Sequence, residues 1–140
     1  MSRDASISCV SETARPTMDV VYFQPRLDAS RNYRNSAGRE QVWTPWWALL
    51  LHQYASPAVK NGRLIDARCN PEWPEELAAI LSNRTVLAVS VMTGHSISDA
   101  IMASQLAKER GARVFWGGPH PTLFPTDVVN GHRKVDRCGH

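Results

Sequence analysis

Residues 86–122 constrain the fold more than any other stretch, because two apolar runs there flank an amphipathic segment. The first run, within residues 85–91, is almost uninterrupted Val, Leu and Ala, as a central parallel strand covered on both faces requires. It leads into Met92, Thr93, Gly94 and His95. Ser96 then reads as the cap of a helix, with Asp99 three residues on completing something close to a capping box. Ala100, Ala103, Leu106 and Ala107 share a face small enough to lie close on a sheet, and Gly111 after Lys108 and Arg110 marks the helix end. The second run, residues 112–116, is broken by Gly117-Gly118. Strand, helix and strand in this order form one βαβ unit, whose parallel strands end in loops on the same side. Ligands of open parallel sheets bind beyond those carboxyl ends. Functional residues are therefore expected in residues 92–96 and 117–122.

The rest of the chain repeats this alternation. Residues 19–25 are β-branched and aromatic and stop at Pro25, which suits a buried first strand. Residues 26–42 are polar and without period, a long loop of the kind that is usually functional. Thr44 is expected to cap a helix with Pro45 at its first position, and Trp46, Leu49, Leu50, Gln53 and Tyr54 fall at helical spacing on the side expected to face the core. Trp43, Trp46 and Trp47 at that helix start read either as packing or as a platform for a flat ligand. Residues 63–67 give a second strand and residues 74–82 a helix, with Glu75 and Glu76 in its first turn at the positive end of the dipole. A short helix is expected at about residues 123–129, and residues 134–138 begin a fifth strand. The expectation is a doubly wound, Rossmann-like (flavodoxin-like) α/β sandwich of three layers, with a parallel sheet of order 2-1-3-4-5 and a stub for strand 5.

A chain of 140 residues with 43% hydrophobic and 21% charged residues is long enough for one globular domain. Residues 1–17, rich in Ser, Thr and Arg, read as a flexible tail and residues 18–140 as the domain. That tail lacks the apolar core of a secretory signal, and no apolar run approaches the roughly 18 residues of a membrane span. The net charge of +3 is mild and its basic residues are scattered, so no nucleic-acid partner is expected. Cys9, Cys69 and Cys138 lie far apart without a Cys-x-x-Cys pair, which encodes neither a zinc site nor a disulfide framework and fits a cytoplasmic setting.

Asp66, at the end of the second strand, sits where dinucleotide folds place the acid that grips a ribose. That reading needs Gly-x-Gly-x-x-Gly after the first strand, and the chain there runs Gln24-Pro25-Arg26-Leu27, which excludes an NAD or FAD site of this type. Gly117-Gly118 allows a ligand or a backbone to approach closely, and before a helix it also offers a place for phosphate. His95 and His120 read either as hydrogen-bonded loop residues or as ligands.

Ser90, Met92 and Gly117-Gly118 resemble the Ser-x-Leu and Gly-Gly halves of the cobalamin-binding signature, with Met92 in place of leucine. Thr93-Gly94-His95, Gly117-Gly118-Pro119-His120-Pro121-Thr122 and Pro125 are similar to the N-terminal B12-binding domain of cobalamin-dependent radical S-adenosylmethionine enzymes. The resemblance spans about residues 19–138 and includes the helix start at Thr44-Pro45-Trp46-Trp47. It implies a cobalamin whose dimethylbenzimidazole tail is detached from cobalt and tucked between the loops after strands three and four. Gly117 and Gly118 would let the tail pass close to backbone, with Val substitutions there expected to abolish binding and leave the fold intact. Thr93, Ser96 and Thr122 would hold its polar atoms, and Met92, Trp43 and Trp46 would offer apolar contact. The loop from Gln24 to Trp47 would cover the lower face of the corrin.

Two departures bear on function. The Asp-x-His-x-x-Gly loop that supplies a histidine to cobalt in methionine-synthase-like domains is absent, so no protein histidine is expected on cobalt. The Cys-x-x-x-Cys-x-x-Cys motif of the radical enzymes is absent too, so the chain cannot hold their iron–sulfur cluster. The expectation is a cobalamin carrier or storage module without activity of its own. Alternatives are the cofactor domain of a radical S-adenosylmethionine methyltransferase completed by another chain, and a nucleotide-binding or cofactor-free interaction module. The adjacent carboxylates of phosphoreceiver domains are missing after strand one.

Overall fold

The computed structural model describes residues 17–26, 43–126, 128 and 137–138. Five parallel strands make one sheet in the order β2-β1-β3-β4-β5. They are β1 (Met18–Gln24), β2 (Val59–Asp66), β3 (Thr85–Ser90), β4 (Arg113–Gly117) and the two-residue β5 (Arg137–Cys138). The helices are α1 (Trp46–Ala55), continued by a 3-10 turn at Ser56–Ala58, then α2 (Trp73–Ile80), α3 (Ser96–Glu109) and the short α4 (Pro119–Leu123). This is the doubly wound α/β sandwich expected from the sequence, stub strand included. The expected tail at residues 1–16 and most of the expected loop, residues 27–42, lie outside the described residues.

Period-two alternation divides the strands between two faces of unequal weight. Val21 and Phe23 of β1, Leu87 and Val89 of β3, and Val114 and Trp116 of β4 join α2 and α3 in the larger core. Ala100, Ala103 and Ala107 are fully buried there, so the small-residue face of α3 lies on the sheet as expected. Ser104 fastens it: its Oγ donates to the Ala100 carbonyl at 2.6 Å and accepts from Trp116 Nε1 at 2.9 Å. On the opposite face Val20, Tyr22 and Ala88 cluster with Ala48 of α1, with Trp47, Val59 and Val86 partly buried around them.

Three local expectations are corrected. The side of α1 expected to face the core is exposed, at Trp46, Leu49, Leu50 and Tyr54. The helix approaches the sheet through Ala48, and His52 fills the space over Gly62, its ring 2.6 Å from where a Cβ there would stand. Helical spacing therefore identified the helix but not which side of it is inward. Thr44 does not cap α1 either, because Pro45 occupies the cap position and Thr44 contributes its carbonyl, which accepts from the Trp46 N–H at 2.8 Å.

At α3 the cap is His95 and no side chain caps the helix, so the Ser96 and Asp99 box does not form. Ser96 Oγ turns back to Met92, donating to its carbonyl and accepting from its N–H at 3.0 Å. Asp99 is taken by Arg26 from the loop after β1, which donates its backbone N–H at 3.0 Å, Nε at 2.9 Å and Nη2 at 2.8 Å. The carboxylate side chain is only 6% exposed, against 59% for the arginine. Burial works to raise the Asp99 pKa, but the side-chain and backbone hydrogen bonds and the charge of Arg26 outweigh it and hold it below the usual carboxylate value.

A carboxylate held down in the folded state stabilises the protein above its unfolded pKa, and that contribution fades as pH falls through the folded pKa. Asp99→Asn should therefore lose about 1–3 kcal/mol in urea unfolding at pH 7, with the deficit shrinking once the pH drops below the ordinary carboxylate range. A deficit that persists unchanged into strong acid would show that the ion pair is not its source.

Candidate functional site

The carboxyl ends of β3 and β4 are in register, with Ser90 opposite Gly117. Beyond them the backbones stay joined: the Val91 N–H donates to the Gly117 carbonyl at 2.8 Å, and the His120 N–H donates to the Val91 carbonyl at 3.0 Å. Gly118 makes this possible. Its φ is +98°, and a Cβ there would stand 3.0 Å from the Val91 carbonyl oxygen, 3.1 Å from the Val91 nitrogen and 3.3 Å from Ser90 Oγ. Thr93 Oγ1 and His120 Nδ1, 3.2 Å apart, add a side-chain link. The two stretches singled out in the sequence are thus brought together.

Beside this junction, on the α1 face of the sheet, lies a cavity of about 260 Å³ with mainly apolar walls. Ala88 and Ser90 of β3 and Phe115 and Gly117 of β4 contribute from the sheet, Trp47 and Leu51 from α1, with Gly118 at the strand end. Gly117 leaves the space open, since a Cβ there would meet nothing nearer than Phe115 Cε1 at 3.9 Å. The indole of Trp47 is fixed by its Nε1 donating to Gln24 Oε1 at 2.8 Å and by an edge contact with Tyr22, centroids 6.2 Å apart. A larger, more polar cavity of about 580 Å³ lies against Asp19, Val20 and Val21 of β1 and Lys60 to Arg63 of β2. Those residues belong to the amino-terminal halves of the strands, away from the end where open parallel sheets bind ligands.

Of the residues expected at the site, Gly117 and Gly118 line the smaller cavity, and the others stand around or away from it. Trp43 and Trp46 are exposed and not among its lining residues, and Trp47 is the indole on its wall. Met92 is exposed and is not part of the wall. Gln24 is buried, and both ends of its amide are engaged, the oxygen by Trp47 and Nε2 by the Pro25 carbonyl at 3.2 Å. The Ser96 hydroxyl is spent on Met92, and that of Thr122 donates to the Gly118 carbonyl at 2.8 Å. Gly94, with φ +115°, and His95 lie exposed in the loop before α3. Pro119, His120 and Pro121 open α4, which precedes the helix expected at about residues 123–129, where residues 125, 126 and 128 are helical. Asp66 is held by Arg68 at 2.7 and 2.8 Å, and Arg68 Nη2 also donates to the Trp43 carbonyl at 2.8 Å.

Trp47 is in the sequence only one of three indoles that read as packing or as a platform for a flat ligand, and Leu51, Ala88 and Phe115 are not among the residues the sequence singles out. A signal existed for two of them: strict alternation puts Ala88 on the same face as Ser90, and Phe115 on the same face as Gly117. The orientation of α1 carried no comparable signal.

The start of α4 is poorly suited to phosphate. Pro119 and Pro121 have no N–H, while those of His120 and Thr122 donate to the carbonyls of Val91 and Gly118. A phosphate cradle needs free N–H groups at this position. Among the described residues, no group of three or more His, Cys, Asp or Glu side chains could hold a metal ion, and no helix is long and apolar enough to cross a membrane.

No protein-family model and no curated protein matches the chain. Among solved structures it is similar to a Bacillus subtilis protein named as a phosphosugar isomerase, with 14% sequence identity and a TM-score of 0.51. The likeness covers 88% of this chain but 30% of that one, and at this identity it is a likeness of α/β fold alone.

Proposed function

We propose that the chain binds cobalamin with its dimethylbenzimidazole tail off cobalt, the tail base seated in the cavity between α1 and the ends of β3 and β4. The observation that carries this reading is the open side of Gly117, where the missing side chain leaves an apolar slot between Phe115, Ala88 and Trp47. A volume of about 260 Å³ accommodates a bicyclic aromatic ring and not a corrin, so the macrocycle would rest outside, over the loops at residues 92–96 and 117–122. Flat apolar walls with the Ser90 hydroxyl as a polar group suit a planar heterocycle that needs few hydrogen bonds.

The chain's own residues bind and orient. Trp47 gives the base a rigid aromatic wall, because Gln24 and Tyr22 fix its ring. Gly117 leaves room for the base, and Gly118 keeps the two loops joined beside it. Cobalamin, when bound, supplies alkyl-transfer chemistry at cobalt, and the protein supplies its position and surroundings. The sequence has no histidine before His52, so the loop after β1 offers no imidazole to replace the displaced base. Residues 1–140 hold no Cys-x-x-x-Cys-x-x-Cys motif, so they serve as a carrier module or as the cofactor-holding part of a methyltransferase whose radical machinery lies outside them.

Purified protein mixed with hydroxocobalamin and desalted should remain coloured, at about one cobalamin per chain. Loss of all colour on desalting would refute the reading. Gly117→Val projects into the cavity and should abolish retention while leaving the urea midpoint close to that of the parent; full retention would clear the slot of its role.

Gly118→Val behaves differently from the sequence expectation that both variants leave the fold intact. A branched side chain at φ +98° with backbone atoms at 3.0 and 3.1 Å should cost about 2 kcal/mol or more in urea unfolding. An unchanged midpoint would mean that the junction between the loops rearranges freely.

A further inference from the structure

We propose that the outer face of α1 is a self-association surface, on which two copies of this chain pack α1 against α1 about a two-fold axis near Leu50. Trp46 is 66% exposed, Leu50 59% and Tyr54 85%, with Leu49 at 46% and Trp43 at 68% beside them. Trp46, Leu50 and Tyr54 follow one another at i, i+4 and i+8, which makes them one ridge of the helix. The inner side of the same helix is already engaged, through Ala48 against the sheet and through Trp47 and Leu51 on the cavity. A helix that is apolar on both sides is a helix buried on both sides.

Charge and symmetry select the occupant. Residues 44–59 contain no Asp, Glu, Lys or Arg, so α1 itself offers nothing to pair with a charged partner and would desolvate that partner's charges without compensation. A second copy of the same uncharged ridge has no such cost. The ridge is also self-complementary: Trp46 and Tyr54 are equally spaced about Leu50, so an antiparallel crossing there places Leu50 on Leu50 and each Trp46 near the other copy's Tyr54. Such an exchange of i with j and j with i is what a two-fold interface demands. Aromatic side chains bury 150–250 Å² each, so these five residues at their observed exposure bring roughly 500 Å² per chain. The pair would bury about 1,000 Å², which reaches the lower bound of a specific interface.

The test is light scattering after size exclusion on the full chain over a range of concentrations. The parent should run as a dimer. Leu50→Glu and, separately, Tyr54→Glu should run as monomers with unchanged circular dichroism, and with unchanged cobalamin retention if cobalamin binds, since neither residue lines the cavity. In a background with Cys9, Cys69 and Cys138 changed to Ser, Leu50→Cys should form a cross-linked dimer under mild oxidation, and Lys60→Cys on β2 should not. A parent chain that stays monomeric up to high concentration would overturn the proposal. So would a dimer that tolerates both glutamates, or one that cross-links through Lys60→Cys and not through Leu50→Cys.

Discussion

Two backbone hydrogen bonds past the ends of β3 and β4, from Val91 to Gly117 and from His120 to Val91, set the arrangement on which the rest of the site depends. They continue the strand register by one step after the ladder has ended at Ser90 and Gly117. A side chain is strained between them, since at Gly118 φ is +98° and a Cβ would lie 3.0 Å from a carbonyl oxygen. The chain then turns directly into α4, whose two prolines need no hydrogen-bond partner for the N–H groups they lack. The result is a joined pair of loops beside an open slot.

The slot exists because the sheet is unequally covered. On one face α2 and α3 pack through Trp73, Leu77 and the alanines of α3 against apolar residues of β1, β2, β3 and β4. On the other, α1 lies over β1 and meets the strands through Ala48 and the polar ties of Trp47 to Gln24 and His52 to Tyr22. Phe115 and Gly117 are left half-buried, and the cavity opens against them. Arg26, just after β1, pairs with Asp99 of α3 on the side of the β1–β3 boundary, where the strand order reverses and such folds often take their ligands.

Much of the fold is legible in the sequence because apolar runs and turn residues report strand and helix order directly. Val86 to Val89 could only be a central strand, and Gly111 could only end a helix; the structure gives it φ +73°. The strand order 2-1-3-4-5 is as expected, one of the orders that alternation and handedness allow. What could not be read were choices settled by partners distant in sequence. Asp99 was within reach of a capping box until Arg26, 73 residues away, claimed it. The large apolar residues of α1 fixed its period, whereas Ala48, Gln24 and Gly62 decided which side faces inward. For the site, Gly117-Gly118 stands out in the sequence as a strand-terminal pair, and of the two only Gly118 has a backbone that favours glycine. Trp47 was hidden behind Trp43 and Trp46, since nothing local distinguishes the indole that a buried glutamine will hold.

On the proposed reading, Gly117 and Trp47 hold a planar base beside the loop junction, and these residues supply a cofactor's position and surroundings. The absorption spectrum of adenosylcobalamin titrated with the protein tests that claim most directly. The account predicts a shift to the form with the dimethylbenzimidazole base off cobalt, saturating at one cobalamin per chain and absent with Gly117→Val. A bound cobalamin that keeps the spectrum of its base-on form would contradict it.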